Sequence, residues 1–162
     1  MRRQEVAMET SPGRCDTGEG FLVSQSKETG QSTTYHCLNE YQCKAGAGVD
    51  GIIADNNMFH TKDELRPLWW VNLGKVYKVL KVVSTNRIDC CADRLRQMLV
   101  HVGEKLETSP MELCGQSIGP AVDVQVIVTL CKTLPEGQIV KLTSVNSKPT
   151  AFHLTEVEVY GV

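Results

Sequence analysis

The sequence predicts an all-β protein, an antiparallel β-sandwich with a jelly roll as its natural closed form. Short stretches alternate apolar and polar residues with a period of two, as half-buried strands do. Turn-rich segments bound each stretch, and none sustains helical periodicity beyond a turn or two. With 162 residues, 41% hydrophobic and 22% charged, the chain can build one sizeable core and therefore one domain.

Residues 1–20 mix Arg, Glu, Ser, Pro and Gly without apolar periodicity, which predicts a flexible lead-in to a domain at 21–162. The Thr/Ser/Gln-rich segment 21–35 is consistent with a short strand and a turn. Tyr35-His36-Cys37-Leu38-Asn39-Glu40-Tyr41-Gln42-Cys43 is a loop; its two cysteines either close on each other or are unrelated thiols. Segment 45–57 is rich in Gly, Ala, Asp and Asn, a composition that makes turns and exposes carbonyl oxygens. Strands follow at 68–74, stopping at Gly74, and at 75–83, which alternates cleanly. Segment 95–102 alternates less well, and 121–131 better, through Val122, Val124, Val126 and Val128. Segments 139–142 and 152–160 complete seven or eight strands, and loops at one end of such a sandwich usually carry the site.

Composition narrows the function. A net charge of -2 and a pI near 6.1 provide no basic field to gather nucleic acid. Nothing approaches the roughly 18 consecutive apolar residues of a membrane span. Seven cysteines are many for a reducing compartment, and the odd number leaves at least one unpaired or bonded to another chain. No CxxC pair or paired histidine spacing supports a structural zinc site. Cysteine usage thus favours disulfides and an extracellular setting, whereas residues 1–20 lack the apolar run of a leader and leave the cytosol open.

The densest chemistry lies between His60 and Arg94. Arg87, Asp89, Cys90, Cys91 and Arg94 fall within eight residues. Arginine presents several fixed donors and no acceptor, which suits hydroxyl and ring oxygens of defined direction. Asp89, between the two arginines, can accept from a guanidinium, lock its rotamer and cancel charge, and His60 adds a neutral donor or acceptor. A surface salt-bridge cluster is the plain alternative for each residue alone. Adjacent Cα atoms lie about 3.8 Å apart, below the usual disulfide range of roughly 4.4 to 6.8 Å, so a Cys90-Cys91 bridge closes a tight ring. Such strain tends to persist where a site uses it, and two sulfurs make an apolar plate for the carbon face of a sugar; two reduced thiols are the alternative.

His60, twenty-six intervening residues, Arg87-Ile88-Asp89, four more and Arg94 form a pattern that resembles the defining motif of the F-type lectins, or fucolectins. Thr85-Asn86 and Cys90-Cys91 around it, Val49-Asp50-Gly51, Trp69, Val71-Asn72-Leu73-Gly74 and Glu156-Val157-Glu158-Val159-Tyr160-Gly161 extend the likeness over about residues 22–161. The resemblance implies a discoidin-like sandwich that binds L-fucose in fucosylated glycans without catalysis. It places His60, Arg87 and Arg94 on the sugar oxygens, Asp89 behind the arginines and the Cys90-Cys91 disulfide against the sugar. It pairs Cys114 with Cys131, a bridge that would stabilise by a few kcal/mol. It also implies a structural Ca2+ held by Asp50 and Glu156, by carbonyls of Ala47, Ile52 and Thr155, and near Asn57, a donor set suited to a hard cation. Tyr35, Asn39 and Phe59 become candidates for the apolar surround of the sugar methyl group.

The sequence also departs from the family pattern. The loop before His60 is about four residues short, and a family disulfide is missing both halves, at Met58 and Thr155. Cys37 and Cys43 are additions. A weak single site implies several copies for avidity and hence a homo-oligomer. A sandwich turned to a protein or lipid partner competes with the lectin reading. A thiol redox enzyme is disfavoured, since no resolving-cysteine motif and no paired acid and base are present.

Overall fold

The computed structural model describes residues 20–38, 40–106 and 110–162. Among these, ten strands follow in order: β1 (Phe21–Leu22), β2 (Glu28–Gln31), β3 (Phe59–His60), β4 (Leu68–Thr85), β5 (Gln97–Gly103), β6 (Glu112–Ile118), β7 (Val126–Leu130), β8 (Glu136–Ser144), β9 (His153–Leu154) and β10 (Glu156–Gly161). Single 3-10 turns cover Ala45–Val49 and Ala92–Arg94. Every strand pair is antiparallel.

The 18-residue β4 belongs to both layers of the sandwich. Its first half lies between β2 and β8, and that layer continues through β5 to β6. Its second half lies between β10 and β7, with β1 outside β10. The chain was expected to end one strand at Gly74 and begin another. Instead it bends there and continues. Gly74 takes φ +90°, a left-handed conformation that glycine adopts freely, and the Asn72 side chain accepts its N–H at 2.9 Å.

Trp69, Val71, Val82, Met98, Val100, Val140, Leu142 and Val157 fill the space between the layers at 0% exposure. Burying side chains of this size contributes about 1.5–3 kcal/mol each before conformational entropy is counted. The Trp69 indole N–H is satisfied by the Ala45 carbonyl at 3.0 Å.

β7 corrects a second expectation. The alternation across 121–131 becomes a strand only from Val126, and its valines face outward: Val122, Val124, Val126 and Val128 are 53–64% exposed. Parity is set by the disulfide. Cys131 and Thr129 face inward at 3% and 5% exposure, and Cys131 is bonded to Cys114 on β6. Strand β6 carries no clean alternation, yet Gly115 at its centre leaves room for Thr129, whose methyl carbon would lie 2.7 Å from an added Cβ.

Candidate sugar-binding site

The loop that follows β4 is held by a residue that cannot be seen from outside. Asn86 is fully buried; its amide donates to the carbonyls of Ala92 (3.2 Å) and Val122 (3.0 Å), and its backbone N–H donates to Gln125 O at 2.9 Å. These bonds tie residues 87–94 to the end of the sandwich. Within the loop Cys90 and Cys91 are joined, with Cα atoms 3.8 Å apart, and Cys91 sits at φ +62°, a sparsely populated conformation for a non-glycine residue. Two other bridges among the described residues are Cys37–Cys43 and Cys114–Cys131. Cys15 lies outside the described residues.

Arg87 and Asp89 form a bidentate pair: Nε donates to Oδ1 at 2.6 Å and Nη2 to Oδ2 at 3.3 Å, with side chains 11% and 18% exposed. Tyr41, from the loop closed by Cys37–Cys43, donates its hydroxyl to Asp89 Oδ2 at 3.1 Å. The guanidinium beside it holds the Asp89 carboxyl below its usual range, and the same carboxylate raises the Tyr41 phenol. Asp89 was expected to serve both arginines and cancel their charge. Of the two arginines it serves Arg87 alone, and its second side-chain partner is Tyr41. The Arg94 guanidinium makes no hydrogen bond or ion pair with a described residue, so its donors are free and the site keeps one positive charge.

His60 lies on β3 beneath these groups. Its Nδ1 is 2.7 Å from Thr61 O, and a carbonyl can only accept, so Nδ1 carries the proton and Nε2 of the neutral ring is an acceptor. Burial, then Arg87 and Arg94, lower its pKa below the ordinary histidine value. The ring is only 5% exposed, covered by Tyr35 with centroids 4.7 Å apart. A cavity of about 240 Å3 opens beside it, walled by Tyr35, Leu38, Tyr41, the Cys37–Cys43 bridge and Arg87, with Met58 among its lining.

Two residues of the predicted methyl surround fare differently. Tyr35 lines the cavity and is 51% exposed. Phe59 does not reach it: it is fully buried, stacked on Trp69 at 5.2 Å and edge-on to Phe152 at 5.1 Å, because adjacent residues of a strand point to opposite faces and His60 takes the outer one. Asn39 lies outside the described residues. Tyr41, Leu38 and His153 were not anticipated. His153 pairs with His60 across β3 and β9, its ring centroid 4.9 Å away, and burial pushes its pKa well down. The signal for Tyr41 was its place between two added cysteines; for His153 it was a histidine inside an apolar strand.

A second cluster gathers around the Asp-Gly turn. Asn57 Nδ2 donates to Asp50 Oδ1 (3.1 Å), Asp50 Oδ2 (2.9 Å) and Ile52 O (3.1 Å). Glu156 Oε2 accepts the Gly51 N–H at 2.9 Å, while Oε1, also buried, has no partner. Burial pushes this carboxyl up to about 8, with Asp50 contributing. The buried Thr155 hydroxyl is likewise unpartnered, and the 3-10 turn bearing Ala47 packs on β10. No group of three or more His, Cys, Asp or Glu gathers among the described residues. Three oxygens converging on one amide nitrogen, beside an unmatched carboxylate oxygen, nonetheless fit an oxygen-seeking cation; turned over, the Asn57 amide would present its own oxygen.

Fold and cradle together define a galactose-binding-like β-sandwich domain. The chain belongs to the NedA-like galactose-binding domain family, whose model matches residues 47–128, and it is similar to the F-type lectins, or fucolectins. It is 28% identical over 99 residues to the fucolectin of Anguilla anguilla, covering 57% of this chain and 60% of that protein. It is 31% identical over 101 residues to fucolectin-3 of Anguilla japonica, covering 58% and 56%. The solved fucolectin from striped bass (Morone saxatilis) serum superimposes with a TM-score of 0.71 at 25% identity, covering 84% of this chain and 47% of that one. The chain thus spans about half to three-fifths of the length of these relatives.

Proposed function

We propose that this domain is a non-catalytic lectin that holds terminal L-fucose of fucosylated glycans between His60, Arg87 and Arg94. The observation that carries the reading is the pairing of roles in one cradle. Arg87 offers donors whose direction Asp89 fixes, Arg94 offers donors uncommitted to any described residue, and His60 offers an acceptor whose tautomer is set by Thr61 O. The Cys90–Cys91 bridge and Tyr35 add apolar surface. A neutral ligand rich in hydroxyls uses all of these at once. The one carboxylate of the cradle, Asp89, is committed to Arg87 and held below its usual range, so it has no proton to give a glycosidic oxygen.

Asp50, Glu156 and Asn57, with the carbonyls of Ala47, Ile52 and Thr155, would hold a structural Ca2+ that braces the loop before His60. Several copies acting together would supply avidity, as agglutination and innate recognition require. The outward row of Val122, Val124, Val126, Val128 and Leu130 supports a homo-oligomer, since apolar rows of this kind tend to be covered. The bass relative comes from serum, which together with three disulfides supports an extracellular setting.

Calorimetric titration with L-fucose tests the assignment. Millimolar to micromolar binding is expected, weakened at least tenfold by Arg87→Ala. Wild-type protein that binds no L-fucose but retains a protein or lipid partner would refute the lectin reading in favour of the competing one.

A further inference from the structure

The ribbon of β3 and β9 has two chemically distinct faces. Phe59 and Leu154 oppose each other, fully buried, and turn into the core. His60 and His153 are the next opposed pair, so both imidazoles turn to the other side, beneath the cradle. His60 consequently packs against two rings, Tyr35 at 4.7 Å and His153 at 4.9 Å, each tilted to its plane.

His153 is 1% exposed, and neither of its ring nitrogens has a hydrogen-bond partner among the described residues. A neutral imidazole carries one donor and one acceptor, and leaving both unmet in a dry interior is unfavourable. Packing alone does not call for this residue: its chain neighbours Phe152 and Leu154 are apolar, and an aromatic hydrocarbon ring would fill the same space without two stranded nitrogens. The position of the ring decides where its partner comes from. The core side is closed by Phe59, Phe152 and Leu154, whereas the opposite side leads to His60 and the cradle.

We propose that His153 is a positioning residue of the sugar site: it fixes the plane of His60 and, through a ring nitrogen, binds a polar atom, a water or a ligand hydroxyl, that occupies the floor of the cradle. This rests on the sugar-binding reading of His60, and it explains why an imidazole stands where apolar residues surround it. With two rings packed on His60 and its Nδ1 on Thr61 O, the direction in which Nε2 accepts is restricted. A hydrogen-bonded atom on His153 extends that directional network below the sugar.

His153→Phe and His153→Gln separate this role from packing. The phenyl ring keeps the stack and removes the stranded nitrogens, so its melting temperature should rise while L-fucose affinity falls by about tenfold, the size of one buried hydrogen bond. Glutamine restores a donor and an acceptor and should recover part of the affinity. A phenylalanine variant that binds as wild type does, or two variants that lose stability and affinity alike, would overturn the proposal. A crystal structure of the sugar-free protein tests it without reference to any ligand. An ordered water or other polar atom within hydrogen-bond distance of a His153 ring nitrogen on the His60 side is expected; nitrogens satisfied only from the core side would overturn it. Wild-type protein that ignores L-fucose would remove the lectin assignment alone, leaving this second arm to decide the role of His153.

Discussion

Replacing Asp89 by Asn probes the cradle at its most connected atom pair. The carboxylate takes Arg87 Nε at 2.6 Å, Arg87 Nη2 at 3.3 Å and the Tyr41 hydroxyl at 3.1 Å. Asparagine keeps one oxygen for Nε but turns an amide N–H2 toward Nη2, donor against donor. Both side chains of the pair are less than a fifth exposed, so solvent screens the loss only in part. A charge-assisted hydrogen bond contributes about 1.5–3 kcal/mol, and for a rim pair we expect a loss of about 2 kcal/mol in stability. In a domain of this size that lowers the melting temperature by roughly 4–8 °C. L-fucose binding should weaken at least tenfold as Arg87 loses its fixed orientation. A further consequence separates this account from simple damage: both guanidinium groups are now uncompensated, so affinity for an anionic glycan should rise and depend on salt. Thermal melts and titrations at low and moderate salt measure all of this. The Asp89 carboxyl is depressed in the folded state, so its contribution is present above the ordinary carboxyl value of 3.8 and lost as pH falls through the folded value; wild type and variant should converge there. Equal melting temperature and equal affinity at neutral pH would mean that the pair is surface decoration and the argument is wrong.

Two further perturbations address the neighbouring groups. His60 accepts through Nε2 only while neutral, and protonation would add a charge beside Arg94; L-fucose affinity should therefore hold at neutral pH and decline with acidification through a point below 6.5. Its lowered folded pKa also makes stability complete above the unfolded value and progressively lost below it, and an affinity profile that stays flat well into the acid range would reject the acceptor role. Around the Asp-Gly turn, Glu156→Gln keeps an acceptor for the Gly51 N–H and removes a carboxyl that burial pushes up to about 8, so that folding at neutral pH no longer has to protonate it. The variant should melt above wild type in chelator and lose the Ca2+-dependent rise expected of wild type; a wild-type melting temperature indifferent to Ca2+ would exclude the cation.

The strands that the sequence announces are those whose register and burial agree. Residues 152–160 alternate because β10 presents Val157 and Val159 to the core and Glu158 and Tyr160 outward. The alternation at 121–131 was equally regular and pointed the wrong way. Periodicity reports that two faces differ but not which face is inside; here the Cys114–Cys131 bond decided, and a pairing of that kind joins residues on different strands. Gly74 misled for a related reason. A glycine within a strand pattern permits either a stop or a bend, and the outcome depends on β8, which pairs with β4 on both sides of the irregularity.

The cradle was legible for a structural reason as well. His60 and Arg87 are separated by 26 intervening residues because β4 intervenes: the chain leaves the site end at β3, runs through both layers and returns at the loop after Thr85. The spacing therefore records the length of a scaffold element, and a fixed element yields a fixed motif. Tyr41 and His153 have no such record. Tyr41 reaches Asp89 across 48 positions from a loop shaped by its own disulfide, and His153 meets His60 only through the pairing of β3 with β9. Their contribution is nevertheless directional, since one holds the carboxylate that orients Arg87 and the other backs the ring that accepts. In a shallow polar site, direction is what separates one sugar epimer from another: a hydroxyl moved from axial to equatorial leaves both its donor and its acceptor behind, and the unmatched groups then count against binding. Selectivity in this chain should accordingly respond to Tyr41 and His153 even though neither belongs to the motif by which the site is found.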